Sequence, residues 1–291
     1  MNRRTFVSAA VGGSFTKAAP ADRAVAQSYV WTQEIRKRGQ TLEQGLPDIF
    51  ASTRRAGFGQ IELMQEFFTP ALRDKTLAEL GRNGMTAPIV YFGGALHDNV
   101  QAEATCRRAL ELADAVLGAG AVALNHNPDP KRPRAAKAEW ELNVQSEWLN
   151  HIGRELQKRG LAFYVHHHDP EMADDAEEWR FILETTDPRA VSLCIDAHWA
   201  YRGGQDPLRL LKEAGPRTAA LHLRNSVNRI WSEDFSHGDL DYHPIAAWLR
   251  SKSLQPWLVV ELAVEAGTPA TRSLEDNLNR SRRYLNQVFE L

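Results

Sequence analysis

The chain has 291 residues, of which 43% are hydrophobic and 25% charged, a balance typical of a globular protein and not of a disordered or fibrous one. Its 35 Lys and Arg residues and 37 Asp and Glu residues leave a formal net charge of −2, so no strong positive field favours nucleic acid or an anionic membrane. We therefore expect a small-molecule partner, no nucleic acid and no membrane. Cys106 and Cys194 are too few for a disulfide framework and are expected to be buried apolar residues.

The N-terminus has two interpretations. Arg3 and Arg4 precede a short apolar stretch, as in a twin-arginine export signal, but Lys17 interrupts that stretch and residues 18–26 offer no sharp cleavage site. Residues 1–26 are thus either a twin-arginine-type signal, which predicts a periplasmic protein, or the disordered N-terminus of a cytoplasmic one. No other stretch reaches the ~20 apolar residues that span a bilayer, so the mature protein is expected to be soluble.

From residue 27 onward, short β-rich runs alternate with longer segments of helical periodicity. The predicted strands cover residues 28–32, 60–64, 87–92, 121–125, 161–166, 191–196, 219–223 and 257–262. The predicted helices cover residues 41–56, 70–83, 99–118, 138–159, 174–186, 206–214, 242–252 and 271–289.

Eight strands, each followed by a helix without a long linker, predict an α/β fold, a single-domain (β/α)8 TIM barrel over residues 27–291, and not an open doubly wound sheet. The apolar strand runs agree with this, because parallel strands are covered on both faces. The sequence contains no Gly-rich phosphate-binding loop of the common types, which argues against nucleotide binding.

In such a barrel, functional groups lie at the C-terminal ends of the strands. Because side chains alternate along a strand, His166 and His168 are expected to point inward, and His167 toward the helical layer or the rim. His222 and Glu261 interrupt apolar strands, where a lone charge is costly unless it is paired or bound to an ion. The polar residues near predicted strand ends are Glu62, His126, His166, His168, Asp196, His222 and Glu261.

Four of these residues, at the ends of successive strands, are predicted to share one metal ion: His166, Asp196, His222 and Glu261. Two imidazoles and two carboxylates suit Mn²⁺, Mg²⁺, Co²⁺ or Zn²⁺, and no thiolate imposes tetrahedral zinc. Each residue also has a structural alternative, since a strand-end histidine can be a hydrogen-bonded core residue and a buried acid can hold an arginine.

The segments VHHHDPE, CIDAHWAYRGGQDP, ALHLRNS, HGDLDY and LVVELA resemble the xylose isomerase-like TIM barrels. This family includes sugar phosphate isomerases and epimerases, inosose dehydratases and keto-sugar lyases. The resemblance implies one divalent ion, Mn²⁺ first, on the same four residues, with His168 as an alternative to His166. Many epimerases have a glutamate on the strand of His166, whereas members with a YHNH segment have a histidine there. Epimerases typically also have a histidine at the place of Trp199, with His198 here one step earlier, and this departure weakens the transfer of ketose epimerase activity.

Further site residues follow from their positions. Glu171 and Arg224 are predicted to be catalytic together with Glu261, as a substrate-contacting acid and an oxyanion-binding group. The alternatives are an ion pair for Arg224, a structural role for Glu62, a loop-ordering role for His126 and simple packing for each tryptophan, Trp31 included. The predicted substrate-binding residues are His168, His126, Trp199, Trp231 and Glu62.

These features predict a metal-dependent isomerase or epimerase that abstracts a proton next to a carbonyl of a sugar or keto-sugar and forms a metal-stabilised enediolate. The close alternative is a lyase or dehydratase that uses the same metal to expel a β-leaving group from a keto-glycoside or keto-cyclitol. Metal-dependent phosphodiester cleavage fits the near-neutral charge poorly, and a sugar-binding barrel without chemistry is the non-enzymatic alternative. The sequence leaves the oligomeric state open, with a homo-oligomer as one option.

Overall fold

The computed structural model describes residues 22–131 and 135–291. The barrel strands are β1 (Ala24–Gln27), β2 (Ile61–Met64), β3 (Ile89–Gly94), β4 (Ala123–Pro128), β5 (Ala162–Val165), β6 (Ser192–Asp196), β7 (Thr218–Leu223) and β10 (Trp257–Val260), and a hairpin is formed by β8 (Ser226–Val227) and β9 (Ile230–Trp231). The helices are α1 (Tyr29–Lys37), α2 (Leu42–Arg55), α3 (Arg73–Arg82), α4 (Asn99–Ala115), α5 (Glu139–Gln157), α6 (Ala173–Thr185), α7 (Ala197–Arg202), α8 (Pro207–Ala214), α9 (His243–Ser251) and α10 (Leu274–Phe289).

The eight barrel strands are all parallel and close on themselves, because β1 pairs with both β2 and β10. The strands are short and almost wholly buried, as expected for a parallel sheet covered by helices on the outside and filled by side chains on the inside. The predicted single (β/α)8 barrel is therefore confirmed. The predicted residues Arg3, Arg4 and Lys17 of the N-terminal signal lie outside the described residues.

The predicted first strand, residues 28–32, is wrong. Residues 24–27 form β1, and the aromatic and β-branched run that follows, from Tyr29, belongs to α1. The sequence AVAQ has weak strand propensity because alanine is depleted in strands. Its small side chains nevertheless suit a strand that is buried on both faces and hydrogen-bonded on both edges, so tertiary context overrides the local preference.

Two layers of apolar side chains hold the barrel. The larger core lies between the strands and the surrounding helices. The smaller one fills the barrel interior with one inward side chain from most strands, and it closes the barrel below the candidate site. Its buried members are Val25, Ile89, Ala123, Tyr164, Cys194, Ala220 and Val259. Both cysteines are buried, as predicted.

The hairpin of β8 and β9 folds back beside the mouth of the barrel. Its turn residues, Asn228 and Arg229, both have positive φ, 52° and 65°, as in the tight turns that match strand twist. The Asp239 carboxylate holds the turn by accepting hydrogen bonds from both backbone N–H groups and from Ser226 Oγ. The hairpin thereby fixes the position of Trp231 at its end.

Across the described residues, the helices are all too short or too polar to cross a membrane.

Close packing of α5 against the turn that leads into β6 predicts an asymmetric effect of two glycine substitutions. A Cβ at Gly153 would lie 2.3 Å from the carbonyl oxygen of Ala190, whereas a Cβ at Gly81 would meet nothing within 4 Å. We expect Gly153→Ala to lower the free energy of unfolding by about 1–3 kcal/mol through overpacking. Gly81→Ala, the control, should leave it unchanged or raise it by up to ~1 kcal/mol. Urea unfolding of both variants measures this, and equal effects would contradict the packing argument.

Candidate active site

The structure brings together the four residues that the sequence predicted as metal ligands. His166, Asp196, His222 and Glu261 each offer one ligand atom, and these four atoms all lie within 4.8 Å of one another. Asp196 and His222 are direct partners across β6 and β7, while His166 and Glu261 immediately follow β5 and β10. Parallel strands in register therefore place all four side chains at one end of the barrel.

Asp196 has its two carboxylate oxygens in different roles. Oδ1 accepts hydrogen bonds from the backbone N–H groups of His198 and Trp199 and caps α7. Oδ2 faces the cluster, 3.6 Å from His166 Nε2 and 3.1 Å from Arg224 Nη2. The helix cap thus fixes the rotamer of a carboxylate whose other oxygen is directed at the proposed ligand set.

His166 is oriented by an amide. Asn127 Nδ2 donates to the carbonyl of Pro128, which leaves Asn127 Oδ1 to face His166 Nδ1 at 3.3 Å. Among the described residues, the buried Nε2 atom of His166 has no hydrogen-bond partner. Burial, together with the neighbouring His222, lowers the pKa of His166, which favours a neutral ring with a lone pair directed at the cluster.

Arg224 is the buried cation of the cluster. Its Nη2 atom lies 2.6 Å from Glu261 Oε1 and 3.1 Å from Asp196 Oδ2. Burial alone would disfavour the ionised carboxylates, but Arg224 and the histidines hold the pKa of Asp196 well below its usual range and lower that of Glu261 to about 2. Both acids are therefore ionised at neutral pH.

His222 lies between two carboxylates. Its Nδ1 atom is 2.8 Å from Glu261 Oε2, and its Nε2 atom is 2.9 Å from Glu62 Oε2. Burial opposes the imidazolium, yet Cys194, Glu62 and Glu261 raise the pKa of His222 well above its ordinary value. The ring thus balances two acids in the protein alone.

An aromatic wall, Trp199 and Trp231, stands beside Arg224. The Arg224 and Arg202 guanidinium carbons each lie 4.6 Å from the Trp231 ring, so this indole is held between two cations. Trp231 Nε1 donates to His198 Nδ1, and Trp199 packs edge-on against Trp231 at 5.5 Å. Both tryptophans that were predicted to bind substrate lie near the cluster, within 5.5 Å of the Arg224 guanidinium.

Two predicted substrate-binding residues lie elsewhere. The structure places His126 on the outer face of β4, between Phe92 and Phe163, where burial lowers its pKa to about 3. Strand alternation explains this, because Asn125 takes the inward position. Glu62 points inward and is 0% exposed, with its Oε2 atom 2.9 Å from His222 Nε2. The outward position of His126 does not support substrate binding by this residue, whereas for Glu62 substrate binding stays a prediction.

The residues of the HHHDPE segment take separate positions. His168 is half-buried, with its ring 4.9 Å from that of His166 and 5.1 Å from that of Trp199, on the side of the mouth. His167 accepts a hydrogen bond from the backbone N–H of Asp196 and so supports β6. Glu171 is buried in the loop and accepts a hydrogen bond from the backbone N–H of His168.

Trp31, the third tryptophan considered in the sequence, is a core residue, and its Nε1 donates a hydrogen bond to Thr53.

Sequence reasoning missed two asparagines of the inner face of β4. Asn125 Nδ2 donates to Glu62 Oε1 at 3.0 Å, and Asn127 orients His166 as described above. The alternation of side chains along β4 could have revealed them, since Asn125 and Asn127 lie two and four residues after Ala123, which faces inward. Amides in the segment NHNP are also common in loops, which hid that signal.

The fold and this cluster define a class: (β/α)8 barrels with a polar site at the C-terminal ends of their strands. The model of the xylose isomerase-like TIM barrel family matches residues 50–287, and the chain belongs to that family.

Individual relatives and solved structures resemble this chain at low sequence identity. An inosose dehydratase of Geobacillus thermodenitrificans is 25% identical over 179 residues, which cover 55% of this chain and 58% of that protein. The chain thus matches less than two thirds of that relative's length. A sugar phosphate isomerase/epimerase of Parabacteroides distasonis has a TM-score of 0.70 at 18% identity, covering 94% of this chain and 96% of that one. D-psicose 3-epimerase of Clostridium cellulolyticum H10 has a TM-score of 0.72 at 13% identity, covering 92% and 99%. These two structural likenesses show the fold alone.

The burial of Glu171 predicts a pH-dependent stability. Burial and the nearby Glu178 raise the pKa of Glu171 from 4.5 to about 7, so the folded chain binds this proton more tightly than the unfolded chain. Stability should therefore fall as pH rises from about 4.5 to 7, by on the order of 1–3 kcal/mol. Glu171→Gln should flatten this part of the profile in urea unfolding. Glu177→Gln, on the exposed side of α6, should keep the wild-type slope, and an unchanged slope in Glu171→Gln would contradict the argument.

Proposed function

We propose that this protein is a divalent-metal-dependent enzyme that removes a proton next to the carbonyl of a keto-sugar or keto-cyclitol and expels a β-leaving group. The observation that carries this proposal is the convergence of two imidazoles and two carboxylates within 4.8 Å at the C-terminal ends of four strands. Family membership supports a sugar-like substrate, and the inosose dehydratase relative supports elimination as the reaction.

The donor set fits a divalent ion. The residues that would hold it are His166, Asp196, His222 and Glu261. Of their ligand atoms, His166 Nε2 has no hydrogen-bond partner among the described residues, so it is free to bind an ion. Mixed nitrogen and oxygen ligands favour Mn²⁺, with Mg²⁺, Co²⁺ and Zn²⁺ as alternatives. When bound, such an ion acts as a Lewis acid that polarises a carbonyl oxygen and makes the neighbouring C–H more acidic.

We assign removal of the proton to the Glu261 carboxylate. It is 8% exposed, whereas the other three residues of the cluster are at most 1% exposed, so Glu261 extends furthest toward the mouth. Its pKa of about 2 keeps it ionised, although it also makes Glu261 a weak base. Proton removal by this group therefore depends on a substrate that has already been made acidic.

Arg224 and the aromatic wall are suited to binding the substrate. Arg224 stays charged, because Glu261 and Asp196 raise its pKa despite burial, and its Nη1 and Nε atoms have no hydrogen-bond partners among the described residues. These N–H groups can donate to an oxyanion of the substrate. Trp199 and Trp231 offer indole surface to a sugar ring and exclude water from the reacting carbon.

The identity of the residue after β5 favours elimination over epimerisation. Epimerisation needs a proton taken from one face of a carbon and returned to the other, and many epimerases that this chain resembles have a glutamate where His166 stands. Here the ligand set has a single acid near the mouth, Glu261, and Trp199 occupies the place of the expected second histidine. In elimination one group can serve both steps: Glu261 takes the proton from carbon, the C–O bond to the leaving group breaks as the C=C bond forms, and the same proton passes to the departing oxygen, which leaves as water or an alcohol.

Epimerisation or isomerisation is the second candidate. It is favoured by His168, whose half-buried ring lies beside His166 and Trp199 and could supply the second proton-transferring group. Burial lowers the pKa of His168 to about 3, so this imidazole is neutral at physiological pH.

Removal of a ligand tests the metal site. We expect purified protein to bind close to one Mn²⁺ per chain. His222→Ala should lose both metal and activity, by more than the ~10–100-fold loss that follows when a residue that orients a metal ligand is changed. His151→Ala, an exposed histidine on α5, is the control and should keep both. Elemental analysis and titration with Mn²⁺ measure the metal. Wild-type protein that binds no divalent ion and stays inactive after reconstitution would favour a binding barrel without chemistry.

Product analysis separates the two reactions. Incubated with a panel of keto-sugars, keto-glycosides and keto-cyclitols, the enzyme should release water or an aglycone, with a matching loss of mass in the remaining product. His168→Gln should keep this elimination, because the proposed base is Glu261. An isobaric product that depends on His168 would instead establish the second candidate.

A further inference from the structure

Glu62 is a buried carboxylate to which the proposed chemistry assigns no role. It belongs to β2, faces the barrel interior and is 0% exposed. Oε1 accepts a hydrogen bond from Asn125 Nδ2 at 3.0 Å, and Oε2 lies 2.9 Å from His222 Nε2. The second contact has the length of a hydrogen bond but not its alignment, and Oε2 has no other hydrogen-bond partner within the described ranges.

The two nitrogens of His222 face different surroundings. Nδ1 faces Glu261, one of the four candidate ligands, and Nε2 faces Glu62 on the opposite side. In the protein alone each ring nitrogen faces a carboxylate, and Asn125 Nδ2 also lies 3.4 Å from Nε2. An ion held by Glu261 would take the place of a proton on Nδ1, and the proton of the neutral ring would then lie on Nε2, beside Glu62. Histidines that bind metals commonly donate their other ring N–H to a carboxylate, which fixes both the tautomer and the ring orientation.

The charges agree with this arrangement. Glu62, Asp196 and Glu261 contribute three negative charges around the cluster, and Arg224 contributes one positive charge. An ion bound to both histidines would keep their rings neutral, and the formal charge of the remaining groups is then −2, which one divalent cation balances. Without Glu62 the same set would carry only −1.

We infer that Glu62 is a positioning residue for a metal ion: it holds the Nε2–H of His222, directs Nδ1 at the ion and completes the charge that a divalent cation requires. This inference rests on the proposed metal site. Asn125 in turn fixes Glu62, so the support runs from β4 through β2 to β7 across the barrel interior. Glu62 itself contacts neither the ion nor the substrate.

The test is Mn²⁺ affinity, measured by isothermal titration calorimetry on the full chain. We expect Glu62→Gln, which keeps the shape but loses the charge, to bind Mn²⁺ about 10–100-fold more weakly than wild type. Glu141→Gln removes a buried carboxylate that pairs with Lys131 on the outer side of the barrel, and it should keep wild-type affinity. Equal affinity in wild type and Glu62→Gln, or an equal loss in both variants, would overturn the inference.

A second measurement needs no change at Glu62. In the Mn²⁺-free protein reconstituted with diamagnetic Zn²⁺, ¹⁵N-histidine NMR should show His222 protonated at Nε2 and metal-bound at Nδ1, with the signal assigned by its absence in His222→Ala. Protonation at Nδ1 would overturn the inference even if Glu62→Gln fails to fold. Wild-type protein that binds neither ion would overturn the proposed function as well, whereas normal binding without dependence on Glu62 would overturn this inference alone.

Discussion

The site depends on one constraint: several carboxylates are buried close together at one end of the barrel. Closure of the barrel directs the inward side chains at the ends of β2, β6 and β10 into one small volume, and three of them are carboxylates. Such a cluster is costly to bury unless cations and hydrogen-bond donors compensate it. Arg224, the two histidines and the asparagines of β4 supply that compensation, and the apolar layer below them shields it from water.

The fold was predictable because the sequence shows clear β-rich runs and clear helical periodicity. Seven of the eight predicted strands and all eight predicted helices lie close to observed elements, since alternating apolar runs and amphipathic segments reflect burial directly. The failure at β1 has a physical cause: AVAQ is held by its neighbours on both edges, and a single strand cannot reveal its partners. The short α7 was missed because the Asp196 side chain that caps it also reads as a strand-end ligand.

The site was predictable where residues carry unusual chemistry in apolar strands, as His222 and Glu261 do. It was less predictable where a shift of one residue along a strand decides whether a side chain faces the barrel interior or the helices. His126 and Asn125 are neighbours, yet only the asparagine faces the cluster, because β4 starts the alternation at Ala123. For Glu62 the inward direction was not enough either, since its contact with His222 joins β2 to β7 across the closed barrel, and the sequence of one strand does not reveal that contact.

The residue after β5 links the charge of the site to its reaction. His166, and not an acid, stands there, so the proposed ligand set contains two carboxylates, Asp196 and Glu261. Glu62 adds a third carboxylate to the cluster from a position that is 0% exposed, whereas Glu261 is 8% exposed. The site therefore keeps the charge suited to a divalent cation while Glu261 remains the acid nearest the mouth. Chemistry that needs a single base follows from this division more directly than chemistry that needs two.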